Sequence, residues 1–171
     1  MSLQSYFLSL GSNQGDRLEA LRQAQEAINA LNHTHITKVS KVYETSPVGV
    51  KSQPDFLNMV LECQSREEPF YFLGLLKEIE ERFGRDTTKV GMPRIIDIDI
   101  IFVDDLIIAE DALIVPHPEC HKRRFVLAPF MDICPSFKHP ILEKSIKDLY
   151  EDCLEETQDK AYVYQPQASP S

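Results

Sequence analysis

Pro93-Arg94-Ile95-Ile96-Asp97-Ile98-Asp99-Ile100-Ile101-Phe102-Val103 places two carboxylates two residues apart in a run that otherwise reads as a buried β-strand. Strand periodicity sends Ile96, Ile98, Ile100 and Phe102 to one face and Ile95, Asp97, Asp99 and Ile101 to the other. Same-face neighbours lie ~6.6 Å apart along a strand, so the two acids can converge on one hard cation or straddle two. Magnesium suits such a pair, because it takes oxygen ligands, keeps water and completes its shell with substrate phosphates. The plain alternative is a solvated strand face. Arg85, Lys89 and Arg94 before the acids, and Lys122, Arg123 and Arg124 after them, supply the positive charge a polyphosphate needs beside its metals.

Working outward, Ser5 to Leu10 reads as a strand, and Gly11-Ser12-Asn13-Gln14-Gly15 is a turn into a helix starting at Asp16. Asp16 and Glu19 resemble a capping box, and Leu18, Leu21, Ala24, Ile28 and Leu31 form the apolar stripe. A second strand is expected over Ile36 to Thr45, then a loop with Pro47, Gly49 and Pro54, then a strand over Phe56 to Gln64. Its alternation points Leu57, Met59, Leu61 and Cys63 to the core and Phe56 and Asn58 to the opposite face. Pro69 opens a helix whose stripe reads Phe70, Leu73, Leu76, Ile79 and Phe83, with Glu80 off that stripe and Gly84 as its stop.

With the Asp-x-Asp strand added, the order is βαββαβ. The expected fold is α+β, a ferredoxin-like core whose antiparallel sheet carries both helices on one face. Leu106 to Ala109 and Leu113 to Val115 read as a short hairpin, and His121 to Met131 and Glu143 to Cys153 as helices able to wall in the other face. One domain is expected over residues 1–153, and residues 154–171, rich in Gln, Glu, Pro and Ser, are expected to be a mobile tail.

At 171 residues and 43% hydrophobic, the chain fills one core. A formal net charge of −9 argues against a nucleic-acid binder, which needs a broad basic surface. Locally clustered cations suit a small anionic ligand in a cleft. No apolar run approaches the roughly 20 residues that span a bilayer, so no membrane role is expected. Cys63, Cys120, Cys134 and Cys153 are widely spaced, and the first residues lack a basic segment followed by an apolar stretch, so a cytoplasmic location is expected. His117, Cys120 and His121 hint at zinc, but a fourth ligand at suitable spacing is missing, and ordinary packing is the better reading.

Several separated motifs occur together: Leu10-Gly11-Ser12-Asn13, Tyr43-Glu44-Thr45, Gln53-Pro54-Asp55-Phe56-Leu57-Asn58, Gly84-Arg85, Pro93-Arg94 with Asp97-Ile98-Asp99, and Val115-Pro116-His117-Pro118. In this order they resemble the 6-hydroxymethyl-7,8-dihydropterin pyrophosphokinase family over roughly residues 5–150. The resemblance implies transfer of pyrophosphate from ATP, the co-substrate, to a pterin alcohol in folate biosynthesis, with AMP as the other product. It implies Asp97 and Asp99 as ligands of two Mg²⁺ ions, and Arg85 and Arg94 as catalytic arginines on the phosphates.

On the pterin side the resemblance implies Asn13, Thr45, Val48, Phe56, Asn58 and Phe125, with the two phenylalanines stacking on the ring and Asn58 reading its edge. On the ATP side it implies Glu80, Arg85, Arg94, Ile98, His117 and Arg123, with Lys77 as a further contact. The loop from Arg85 to Arg94 departs from the family in lacking tryptophan and in being about one residue shorter. A monomer acting on small molecules is expected. Two rivals share the paired acids and arginines: a two-metal phosphodiesterase, which needs no pterin, and a noncatalytic ferredoxin-like nucleotide-sensing module, which consumes no ATP.

Overall fold

The computed structural model of the protein describes residues 2–45, 55–83, 95–156 and 161–164. Strand β1 (Gln4–Ser12) lies inside the sheet because it has apolar or small residues for both faces. It pairs antiparallel with β4 (Phe56–Ser65) on one side and with β5 (Asp97–Val103) on the other. Tyr6, Leu8 and Leu10 of β1 and Leu57, Met59, Leu61 and Cys63 of β4 bury one face. Helices α1 (Arg17–Asn29) and α2 (Pro69–Arg82) cover it with Leu21, Ala24, Ile28, Phe72, Leu76 and Ile79. Strands β2 (Thr34–Val39) and β3 (Tyr43–Thr45) both pair antiparallel with β4, which completes the expected βαββαβ arrangement.

The second face is closed by α3 (Arg124–Ile133) and α4 (Ile146–Glu156), while the hairpin of β6 (Ile108–Ala109) and β7 (Ile114–Val115) that follows β5 packs Leu113 and Val115 into the first core. A second core forms there from Phe7, Val60, Ile101 and Phe102 of the sheet and Val126, Leu127, Phe130, Ile133, Ile146 and Leu149 of the helices. Phe7 and Phe130 are 4.7 Å apart at their ring centroids, and Phe102 meets Phe130 edge-on at 5.6 Å.

Six details differ from the expectations. The strand expected over Ile36 to Thr45 is broken at Ser40, whose N–H donates to the Val60 carbonyl while its hydroxyl accepts from the Val60 N–H, both at 2.9 Å. Phe102 lies on the opposite face from Ile98 and Ile100, because Leu8 pairs with Ile100 and Phe7 with Phe102, leaving Ile101 as an extra residue that shifts the alternation. In α2 the buried aromatic is Phe72, stacked on Tyr6 at 4.2 Å, while Phe70 is exposed and Glu80 is buried. Leu18 of α1 is exposed, although Asp16 caps the helix as expected by accepting from the Glu19 N–H at 3.1 Å. Cys120–Lys122 form a single 3₁₀ turn, so α3 begins at Arg124, and α4 begins at Ile146, after Glu143 in left-handed backbone (φ 58°). Within the expected tail, Ala161–Val163 form strand β8, antiparallel to β3.

Candidate active site

The sheet brings the motif residues into one row on the face away from α1 and α2. Asp97 is paired with Gly11, and Gly11 with Asn58, which in turn is paired with Tyr43 of β3. One step along, Asp99 is paired with Ser9 and Ser9 with Val60, whose side chain belongs to the second core. Asp97 and Asp99 therefore face the α3 side of the sheet together, as the alternation predicts for that part of β5. Asp97 is half-buried and Asp99 exposed. Two strand spacings separate Asp97 from Asn58, about 10 Å at the backbone.

At the Asn58 end, the buried carboxamide donates from Nδ2 to the Thr45 hydroxyl at 2.7 Å. This bond fixes which way the amide points. Its Oδ1 then lies over Gly11, where a Cβ would meet it at only 2.8 Å, so the glycine is what leaves room for the amide across β1. Phe56 is paired with Thr45, is half-buried, and shares the Asn58 face. Phe125 stands in the first turn of α3 and packs against the second core, on the same side of the sheet. The Arg123 guanidinium lies 5.6 Å from the centroid of its ring. Tyr43 ties the row to α3 by donating its hydroxyl proton to the Asp132 carboxylate, with oxygens at 2.9 and 3.0 Å.

His117 reaches the acidic end because its N–H donates to the Ile101 carbonyl at 3.0 Å, laying the segment after β7 beside β5. Its Nδ1 accepts from the Glu119 N–H at 3.1 Å, so the neutral ring carries its proton on Nε2. Burial lowers its pKa, an effect that the field of Asp99 opposes and that of Arg123 reinforces. Glu80 is buried against the sheet edge and accepts from the Ile98 N–H at 3.2 Å, satisfying an outward donor of the edge strand. Asn13 is buried at the end of β1, and Lys77 is exposed on α2.

Val48, Arg85 and Arg94 lie outside the described residues. Among the described residues, no group of three or more His, Cys, Asp or Glu side chains is placed around one ion. Sequence reasoning passed over two groups that shape the site. Gly11 was read only as part of a turn, although a glycine at a strand end beside a motif asparagine signals a close approach. Arg17, which no sequence motif singles out, donates to Glu44 of β3 at 2.7 Å and to the Asp55 carbonyl at 2.8 Å.

A family model described as 7,8-dihydro-6-hydroxymethylpterin-pyrophosphokinase matches residues 7–135. The chain belongs to this family. Among its members, the 2-amino-4-hydroxy-6-hydroxymethyldihydropteridine pyrophosphokinase of Bacillus subtilis (strain 168) is 43% identical over 128 residues, covering 75% of this chain and 77% of the relative. The enzyme of the same name from Aquifex aeolicus (strain VF5) is 37% identical over 146 residues, 85% of this chain and 90% of the relative. The bifunctional protein FolKE of Lactococcus lactis subsp. cremoris (strain MG1363) is 38% identical over 171 residues, and this chain spans 47% of it. A crystal structure of Plasmodium falciparum HPPK-DHPS superposes with a TM-score of 0.73 at 17% identity over 90% of this chain and 44% of that one, which establishes the shared pyrophosphokinase fold. Among the described residues, no helix is long and apolar enough to cross a membrane.

Proposed function

We propose that Asp97 and Asp99 hold two Mg²⁺ ions against the triphosphate of ATP, and that Phe56, Asn58, Thr45 and Phe125 receive the pterin at the other end of the same sheet row. The chain is a pyrophosphokinase of folate biosynthesis: it transfers pyrophosphate from ATP to 6-hydroxymethyl-7,8-dihydropterin, giving the pterin diphosphate and AMP. The observation that carries the site assignment is the Asp97–Gly11–Asn58 row, which sets an anionic pair and an amide on one face of the sheet.

The donor set fits magnesium. Two carboxylates from one strand would supply hard oxygen ligands, and substrate phosphates and water would supply the rest. Bound there, the ions neutralise phosphate charge and acidify the attacking hydroxyl. This chain's own residues bind and orient. Asn58, with Nδ2 committed to Thr45, offers Oδ1 as an acceptor for the donor edge of the pteridine, and Phe56 and Phe125 supply the flat apolar walls. His117 and Arg123 face the triphosphate, and Arg85 and Arg94 stabilise the charge that builds as the bond from the β-phosphorus to AMP breaks. Ile98 and Glu80 border the adenine at the sheet edge, and the outward Ile98 carbonyl is an acceptor for its amine. Asn13 and Val48 line the pterin end. In-line attack by the pterin oxygen on the β-phosphorus needs no covalent enzyme intermediate, so positioning supplies most of the rate.

We take the chain to act as a cytoplasmic monomer; its four cysteines form no disulfide, which suits a reducing compartment. Isotope labelling tests the activity. With ATP labelled at both the β and γ phosphates, both labels appear together in the pterin product, and unlabelled AMP accumulates in equal amount only when pterin is present. Formation of ADP contradicts it, AMP release independent of pterin favours the phosphodiesterase, and no consumption of ATP favours the sensing module.

A further inference from the structure

Residues 161–164 lie outside the part of the chain that the family model covers, yet they are built into the pterin end of the site. Strand β8 pairs with β3 in the register Thr45–Ala161, Glu44–Tyr162 and Tyr43–Val163, and the Tyr164 N–H continues the ladder by donating to the Val42 carbonyl at 2.7 Å. Tyr164 packs against the first core, and the Arg17 guanidinium lies 5.6 Å from its ring centroid. That same guanidinium bonds Glu44 of β3 and the Asp55 carbonyl that precedes β4.

A three-residue strand such as β3 has little hold of its own. Its other ladder is with β4, over Tyr43–Asn58, Glu44–Leu57 and Thr45–Phe56. Without β8 it becomes an edge strand ending at Thr45, and short edges fray. Fraying at Thr45 releases the hydroxyl that orients Asn58.

We propose that β8 and Tyr164, clamped by Arg17, are a positioning element for pterin recognition: they hold β3 so that Thr45 keeps the Asn58 carboxamide aimed at the substrate. This inference rests on the pterin assignment made above. It makes the C-terminal segment part of the specificity machinery, acting on the pterin and leaving the nucleotide end untouched.

The test uses the full-length chain, a version ending at Glu156, and the full-length variants Tyr162→Pro, Tyr164→Ala and Tyr164→Phe. Tyr162 is 61% exposed, so proline there removes ladder bonding with little loss of packing. The expected result is a rise of about five- to tenfold in KM for the pterin in the truncation, Tyr162→Pro and Tyr164→Ala, with KM for ATP within about twofold of the parent. Tyr164→Phe keeps the ring that Arg17 covers and keeps the parent's constants. Unchanged pterin KM in Tyr162→Pro, or equal rises for both substrates, overturns the proposal. If the truncation does not fold, the full-length variants decide.

A second readout does not depend on turnover. Amide hydrogen exchange at Tyr43, Glu44 and Thr45 quickens about tenfold or more in Tyr162→Pro if β8 holds β3, and unchanged exchange overturns the proposal. Absence of pterin-dependent AMP from the unaltered chain counts against the functional reading, and the exchange result still decides whether the brace exists.

Discussion

Asn58 on β4 and Thr45 on β3 are joined across the strand boundary by a 2.7 Å hydrogen bond, Nδ2 to Oγ1, in a buried position. The bond uses one of the two amide protons and fixes the carboxamide, leaving its oxygen as the acceptor that the proposal gives to the pterin. Thr45→Val keeps the shape of the side chain and removes the acceptor, so Nδ2 is left buried and unpaired at a cost of about 1–3 kcal/mol, or is turned toward the ligand. Steady-state kinetics are expected to show KM for the pterin raised roughly tenfold and KM for ATP unchanged. Equal effects on both substrates contradict the assignment.

Gly11 is expected to tolerate no side chain. A Cβ there meets Asn58 Oδ1 at 2.8 Å, and the amide cannot swing away without giving up Thr45. Gly11→Ala therefore raises the pterin KM about tenfold or more, and the fold survives because the collision is with the end of one side chain. Pterin affinity measured by fluorescence titration checks it, and parent-like binding counts against the geometry.

Asp97→Asn and Asp99→Asn preserve shape and remove charge. Because Asp97 is half-buried and Asp99 exposed, each variant is expected to melt within about 4 °C of the parent. Turnover at saturating ATP and pterin is expected to fall by two orders of magnitude or more, reflecting several kcal/mol of lost charge stabilisation. Near-normal activity in either variant contradicts a two-ion site.

His139 gives the protein a defined response to acid. It is buried in the second core beside Phe102, its Nδ1 accepts the Ile141 and Leu142 N–H groups at 3.2 and 3.0 Å, and burial, with His121 adding a smaller push, lowers its pKa below 6.5. The unfolded chain therefore takes up this proton first as pH falls. The stabilisation from the neutral ring is complete above about pH 6.5 and is lost as pH falls through the folded-state pKa. Urea midpoints at about pH 7.5 and 5.5 are expected to fall more for the parent than for His139→Asn, which keeps an acceptor and cannot titrate. An equal fall in both removes His139 as a cause.

Much of this architecture was legible in advance because it depends on periodicity. The alternation of β4 put Phe56 and Asn58 opposite Leu57 and Met59, and that of β5 put Asp97 and Asp99 opposite Ile96 and Ile98. Alternation fails where a long-range partner intervenes. The extra residue Ile101, set by pairing with β1, moves Phe102 to the second core, and no local pattern announces it. In α2, stripes through Phe70 or Phe72 both continue to Leu76 and Ile79, and only the ring of Tyr6 decides between them. Ser40 breaks its strand through a hydroxyl that finds Val60, a contact 20 residues away. The run Ala161-Tyr162-Val163-Tyr164 has the aromatic and β-branched character of a strand, but its polar surroundings read as a tail. The motif residues were recognisable together, whereas the roles of Gly11 and Arg17 emerge only when strands distant in sequence lie side by side.

A crystal structure with Mg²⁺, a nonhydrolysable ATP analogue and the pterin alcohol tests the central assignment most directly. The account predicts two ions bound between the Asp97 and Asp99 carboxylates and the phosphate oxygens, with the pterin ring between Phe56 and Phe125 and its edge on Asn58. Ions and triphosphate bound elsewhere, with both aspartates turned to bulk water, would contradict it.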